Sequence, residues 1–145
     1  MILSPRKLLI RRAHRRVVQR VRSRYQQIKP EPAQGLFNHR CHENSVQYVL
    51  TRPEGERSAH VIWEVMMVDG TGEPILHYVV RDGQGRWWEI TLGVFASQNE
   101  YYALRQISPD DYMHIGSEFN RSIKDWCEEF VGWFGRIVLR IDRCC

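Results

Sequence analysis

Apolar residues recur at three- and four-residue steps at Ile10, Ala13, Val17, Val21, Tyr25 and Ile28, the period of a helix with a narrow apolar stripe. Ser4 and Pro5 ahead of them supply an N-cap and a first-turn proline, so the spacing predicts one amphipathic helix over 5–28. Arginines fill its other faces. A helix this short is marginal alone, so the stripe must bury itself against this chain or against a partner. Lys29-Pro30-Glu31-Pro32-Ala33-Gln34-Gly35 then breaks the helix, because each proline forces extended backbone on itself and its predecessor. Asn38 is placed to cap a second helix, from about His39 to Leu50, with Val46, Val49 and Leu50 on its buried side.

The middle of the chain changes to strand-like runs. His60–Val68, Ile75–Arg81, Arg86–Leu92 and Tyr101–Ile107 read as four strands, rich in β-branched and aromatic residues. Asp69–Pro74 is a loop, and Asp82-Gly83-Gln84-Gly85 reads as an Asp-Gly hairpin turn. Short connections favour pairing of consecutive strands, which predicts an antiparallel meander. Ser108–Asp111 opens a short helical turn. Phe119, Ile123, Trp126 or Cys127, Phe130 and Trp133 or Phe134 then fall at helical spacing over 118–134, an aromatic face suited to packing on the sheet. Arg136–Ile141 reads as a last strand. The sum is an α+β chain.

Composition adds an asymmetry. The 145 residues carry a net charge of +4. Residues 1–30 hold ten Lys or Arg and no acid, which leaves eleven basic against seventeen acidic residues, a net of −6, in 31–145. The chain therefore divides into a basic helical arm (1–30) that protrudes from an acidic α+β domain (31–145). Arg11, Arg12, Arg15, Arg16, Arg20, Arg22 and Arg24 are the candidate contacts to an anionic partner: nucleic acid, an acidic protein or a membrane surface. The bland alternative is a solvated basic face packed on its own domain. No apolar run reaches the roughly 18–20 residues of a membrane span, and no secretory signal is evident. Cysteines at 41, 127, 144 and 145 lack disulfide or zinc-ribbon spacing, which points to reduced thiols and a cytoplasmic setting.

The candidate chemistry centres on Cys41, in the first turn of the second predicted helix. Unpaired N–H groups and the helix dipole favour a thiolate there. His77 stands in the run Ile75-Leu76-His77-Tyr78-Val79-Val80, where an imidazole is out of place unless it serves as general base and acid. Glu89 on the next strand is the preferred orienting acid, with Asp82 the alternative. Asn44 and Gln34 are the nearest amides for an oxyanion hole. A metal site built from His39, Cys41, His42, His60 and His77 is disfavoured, because adjacent Cys41 and His42 cannot face one point on a helix. No cofactor is implied. Read one at a time, each of these residues is more simply structural.

Several stretches carry a resemblance: Cys41-His42-x-Asn44 with Val46 and Tyr48, Ile62-Trp63-Glu64, Leu76–Val80, Gly85, and Glu89-Ile90-Thr91. Together, over about Cys41 to Gly93, they resemble small bacterial and phage proteins of papain-like or transglutaminase-like type. Those have a Cys-His-x-Asn helix, a later His strand and an Asp-x-Thr strand; here Glu89 stands where Asp is more usual. The resemblance implies a Cys-bearing helix packed on a small antiparallel sheet. It also implies thiol-dependent amide or acyl chemistry on a peptide or protein substrate: a peptidase, amidase or transglutaminase-like reaction. Such folds also persist as binding modules. The second expectation is thus a non-catalytic component of a phage particle or other assembly, with an oligomer allowed, docking through the basic helix. Cys144-Cys145 does not match a lipidation box.

Overall fold

The computed structural model describes residues 4–33, 36, 38, 40–114 and 121–137. Its elements in chain order are α1 (Pro5–Arg24), β1 (Gln27–Ile28), β2 (Glu31–Pro32), α2 (Cys41–Leu50), the short α3 (Glu54–Arg57), β3 (Val61–Val68), β4 (Pro74–Arg81), β5 (Trp87–Glu89), β6 (Glu100–Gln106) and α4 (Arg121–Ile137). Single 3-10 turns cover Gly93–Gln98 and Pro109–Asp111. The chain is α+β. Gln34, His39, Phe119 and the Cys144-Cys145 pair lie outside the described residues. Arg136 and Ile137 are helical rather than the start of a strand, and 138–141 lie outside the described residues.

Ser4 caps α1 by accepting from the Lys7 backbone N–H at 3.4 Å. The helix ends at Arg24, short of the predicted Ile28, because Gln27 and Ile28 pair antiparallel with Tyr102 and Tyr101 of β6. A proline two residues after Ile28 already disfavours helix there, and the ladder takes up the freed backbone groups. The expectation of a protruding arm is also corrected. Ala13, Val17 and Val21 of α1 are fully buried, in one cluster with Met66, Val68, Leu76, Tyr102, Cys127 and Val131. The stripe is covered by this chain's own sheet and by α4. The aromatic residues of α4 therefore meet α1 as much as the sheet: Trp126 packs 6.0 Å from Tyr25, and Arg20 lies 4.4 Å over the Phe130 ring. At Gly132, φ is +69°, a conformation that favours glycine, and α4 kinks there.

The sheet has six strands in the order β1-β6-β3-β4-β5-β2. The meander holds for β3-β4-β5. It fails at β6, which returns along the other edge of β3 rather than beside β5. The free edge of β5 is taken by β2, which runs parallel to it and pairs Glu31 with Trp88 and Pro32 with Glu89. The segment read as a linker thus supplies both outermost strands. Only Lys29 and Pro30 separate β1 from β2, so three virtual bonds, about 11 Å at most, join opposite edges of the sheet. The sheet must curl until its edges nearly meet.

The curl sorts side chains by parity. Met66, Leu76, Tyr78, Val80 and Ile90 face outward beneath α1, α4 and α2. Val65, Met67, Val79, Tyr101 and Ile28 form a third cluster to which no helix contributes among the described residues. Val65 and Val79 are nonetheless fully buried; curvature of the sheet encloses them. His77 and Glu89 share that interior face, because residues two apart on a strand point the same way and Glu89 falls opposite Val79. The hairpin turn also differs from the Asp-Gly type. The residue with φ of +83° is Gly85, and Gly85 N–H donates to the Asp82 carbonyl at 2.9 Å, as in a longer hairpin loop whose last residue is left-handed.

Candidate active site

Glu89 and His77 lie on adjacent strands at diagonal positions of one face, a separation that two long side chains can span. His77 Nε2 sits 2.7 Å from Glu89 Oε2, with both residues buried. Glu89 Oε1 accepts from the backbone N–H groups of Thr91 at 2.7 Å and Leu92 at 3.0 Å. The chain can offer both because the β5 ladder stops at Glu89 and the backbone turns back toward its own carboxylate. Burial pushes Glu89 up, but the His77 bond and charge and the two N–H donors outweigh it, and its carboxyl is held below the usual range.

The end of β5 also admits α2. Beyond the position of Glu89, β4 has no ladder partner on that side among the described residues, and Ser45 Oγ of α2 donates to the buried Tyr78 carbonyl at 3.4 Å. Cys41 is the first residue of α2 and is 5% exposed, packed with Ile62, Tyr78 and Val80. Its thiol lies beside the His77 imidazole, close enough for the two groups to interact. Since Nε2 is engaged by Glu89, Nδ1 is the ring nitrogen left for the thiol. Burial pulls the His77 value down. The Cys41 and Glu89 bonds and charges more than offset this, and the imidazole is raised from 6.5 to about 10.

The remaining candidates separate. Asp82 does not reach the imidazole; it organises its own turn, accepting from Gln84 N, Arg86 N, Arg86 Nε and Trp88 Nε1 at 2.9 to 3.0 Å. Asn44 is buried beside the site, but its Nδ2 donates to Asn38 Oδ1 at 2.8 Å and to Thr91 Oγ1 at 2.9 Å. Its amide protons are therefore committed to joining α2 to the segment after β5. Asn38 does not cap α2: its Oδ1 accepts from the Arg40 N–H at 3.1 Å, and the helix starts at Cys41. His60 lies apart at the end of α3, its Nδ1 2.8 Å from the Glu56 carbonyl.

Sequence reasoning gave no role in the site to Thr91 or Tyr101, nor to the cluster in which buried Glu64 meets Arg105 at 3.1 Å and Tyr78 Oη at 3.4 Å. Alternation along β6 marks Tyr101 as inward, but only the curl brings it near Glu89. Fold and site together define an α+β chain with a buried Cys-His-Glu set at a helix N-terminus. The chain matches no family model, no curated protein and no solved structure.

Proposed function

We propose that the protein carries out thiol-dependent amide or acyl chemistry, as a cysteine peptidase, amidase or transglutaminase-like enzyme with a papain-like arrangement. Cys41 is the nucleophile, His77 the general base and acid, and Glu89 the orienting acid. The observation that carries this reading is a single buried imidazole engaged by a helix-N-terminal thiol and by a carboxylate held at 2.7 Å. The charged imidazole supports the ion-paired form in which sulfur is the attacking atom. The Cys41 thiolate forms a bond to a carbonyl carbon, and His77 gives its proton to the departing amine as the C–N bond breaks. Water or a second amine then attacks the thioester, returns a proton to His77 and releases the thiolate.

Iodoacetamide alkylation of Cys41 across pH, followed by mass spectrometry in the native protein and in His77→Ala, tests the reading. Reaction at pH values well below the ~8.5 of an ordinary thiol, lost in the variant, supports it. A thiol that behaves alike in both proteins refutes it.

A second reading, docking on an anionic partner such as nucleic acid, is favoured by how the arginines divide. Arg20 and Arg22 are committed to Glu129 at 2.6 Å and to Glu100 at 2.7 Å. Arg11, Arg12, Arg15, Arg16 and Arg24 are exposed on a helix that has no acid. Arg11 and Arg15, like Arg12 and Arg16, stand one turn apart and form a basic ridge. Deleting the first 30 residues would remove core side chains along with charge. Arg11→Glu with Arg15→Glu is the cleaner perturbation, read as loss of salt-sensitive binding to a single-stranded oligonucleotide. Such docking fits either a cytoplasmic protein or a component of a phage particle. No helix among the described residues is long and apolar enough to cross a membrane.

A further inference from the structure

We propose that Tyr101 is a positioning residue of this site, its hydroxyl turned to the open acceptor site on the Glu89 oxygen that faces His77, so that the carboxylate stays ionised and aimed at the imidazole. The inference rests on the reading of Cys41, His77 and Glu89 given above. Tyr101 lies on β6, paired with Ile28 of β1 and Met67 of β3, and is 1% exposed in the curled interior. Its ring centroid is 6.1 Å from that of His77, inclined by 55°. Packing alone would be served by phenylalanine. A buried hydroxyl costs free energy unless it has a partner, and the Tyr101 Oη has no well-aligned hydrogen bond, although it lies within reach of Glu89 and Asn99.

The lone pairs of Glu89 indicate where that partner is. A carboxylate oxygen accepts two hydrogen bonds. Oε1 already has two, from Thr91 and Leu92, whereas Oε2 has one, from His77. One acceptor site is open on the oxygen that faces the imidazole. Tyr101 also forms part of the wall of a cavity of about 890 Å³ between residues 27–32 and the turn at 94–99. Its ring thus stands between the buried pair and that cavity.

The titratable groups facing Glu89 are His77 from β4, Tyr101 from β6 and, across the imidazole, Cys41 from α2. Ile28 of β1, Val65 of β3 and Val79 of β4 supply apolar walls. Lys29 and Glu31, on the strap that borders the cavity, are exposed. With the hydroxyl removed, burial pushes the Glu89 carboxyl upward against one fewer donor.

The test is the titration of the Glu89 side-chain carboxyl by carbon NMR, assigned with Glu89→Gln, in the native chain and in Tyr101→Phe. The expected result is an upward move of roughly one pH unit, a tenfold change in proton affinity, with the acid limb of Cys41 alkylation moving the same way. A purely structural tyrosine would lower the unfolding temperature and leave the titration in place; an unmoved titration in folded Tyr101→Phe overturns the proposal. Should that variant not fold, 3-fluorotyrosine at position 101, a stronger donor, must move the Glu89 titration downward, and no movement overturns it equally. The carboxyl titration does not depend on thiol reactivity. An ordinary Cys41 beside a shifted Glu89 would therefore refute the enzyme reading and leave the Tyr101 contact standing.

Discussion

Replacing Glu89 by glutamine keeps the side chain's size and exchanges its carboxylate for an amide. The glutamine carbonyl can still accept from Thr91 and Leu92, which satisfy Oε1 in the native chain. Its NH2 then faces His77 Nε2, where a protonated imidazole also presents an N–H. Two donors at 2.7 Å repel, so His77 turns to the neutral tautomer with its proton on Nδ1, toward Cys41. The magnitude follows from His77's rise from 6.5 to about 10. That rise, at about 1.4 kcal/mol per pH unit, sets a ceiling of roughly 5 kcal/mol on what the charged imidazole contributes. Glu89 shares this with Cys41, which leaves roughly 2–3 kcal/mol for the substitution to remove.

The direction with pH is definite. A folded-state value above the unfolded one gives stabilisation that is complete below about pH 6.5 and is lost as pH rises through about 10. Glu89 is held below its ordinary value, so its share is present above about pH 4.5 and lost as pH falls. Native stability should therefore peak between those limits and decline toward alkaline pH. Glu89→Gln should lie lowest relative to native near pH 6 and converge on it at about pH 10. Urea unfolding monitored by the five tryptophans measures both curves. Parallel curves across that range would refute the claim that Glu89 holds a charged imidazole.

Two further substitutions test the frame around the site. Val17→Ala, at a fully buried position of α1, should cost about 2 kcal/mol in urea unfolding because the helix is part of the core; a cost near zero would restore the protruding arm. Asp82→Ala strips the hairpin of the acceptor for the Gln84 and Arg86 backbone N–H groups, Arg86 Nε and Trp88 Nε1, and should cost about 2 kcal/mol without changing Cys41 alkylation. Burial pushes Asp82 up, but its donors win and hold it at about 2. Its contribution is thus present above about pH 3.8 and is lost as pH falls through about 2.

Elements set by local periodicity were legible in the sequence: α1, α2, three of the longer strands and the helical tail follow their apolar spacing closely. What was not legible depends on closure. Pro30 and Pro32 read as linker because proline breaks helices, yet extended backbone is also what an edge strand needs, and nothing local says which edges Gln27–Ile28 and Glu31–Pro32 will join. The same non-locality misplaced β6, since the chain crosses the sheet through the turn at 93–98 instead of pairing with its predecessor. The His77–Glu89 contact was legible because a tight hairpin brings neighbouring strands together and alternation puts both side chains on one face. Tyr101 was not, because it meets Glu89 only once the sheet curls. The arginines of α1 look equivalent in sequence; their partners Glu100 and Glu129 lie 78 and 109 residues away.

The interior that this curl creates need not have held charge. Val65, Val79 and Tyr101 show that the space accommodates apolar and aromatic side chains, and replacing a buried ion pair by well-packed apolar residues is often neutral or stabilising by about 1–4 kcal/mol. An imidazole and a carboxylate are nonetheless enclosed there. Their position coincides with the place where, among the described residues, β5 stops, β4 lacks a partner and the first residue of α2 enters. A structural ion pair has no need of that coincidence, since any neighbouring pair of strand positions would hold one. A thiol nucleophile does need it, because the imidazole must be reached by the carboxylate from within the sheet and by the thiol from a helix N-terminus.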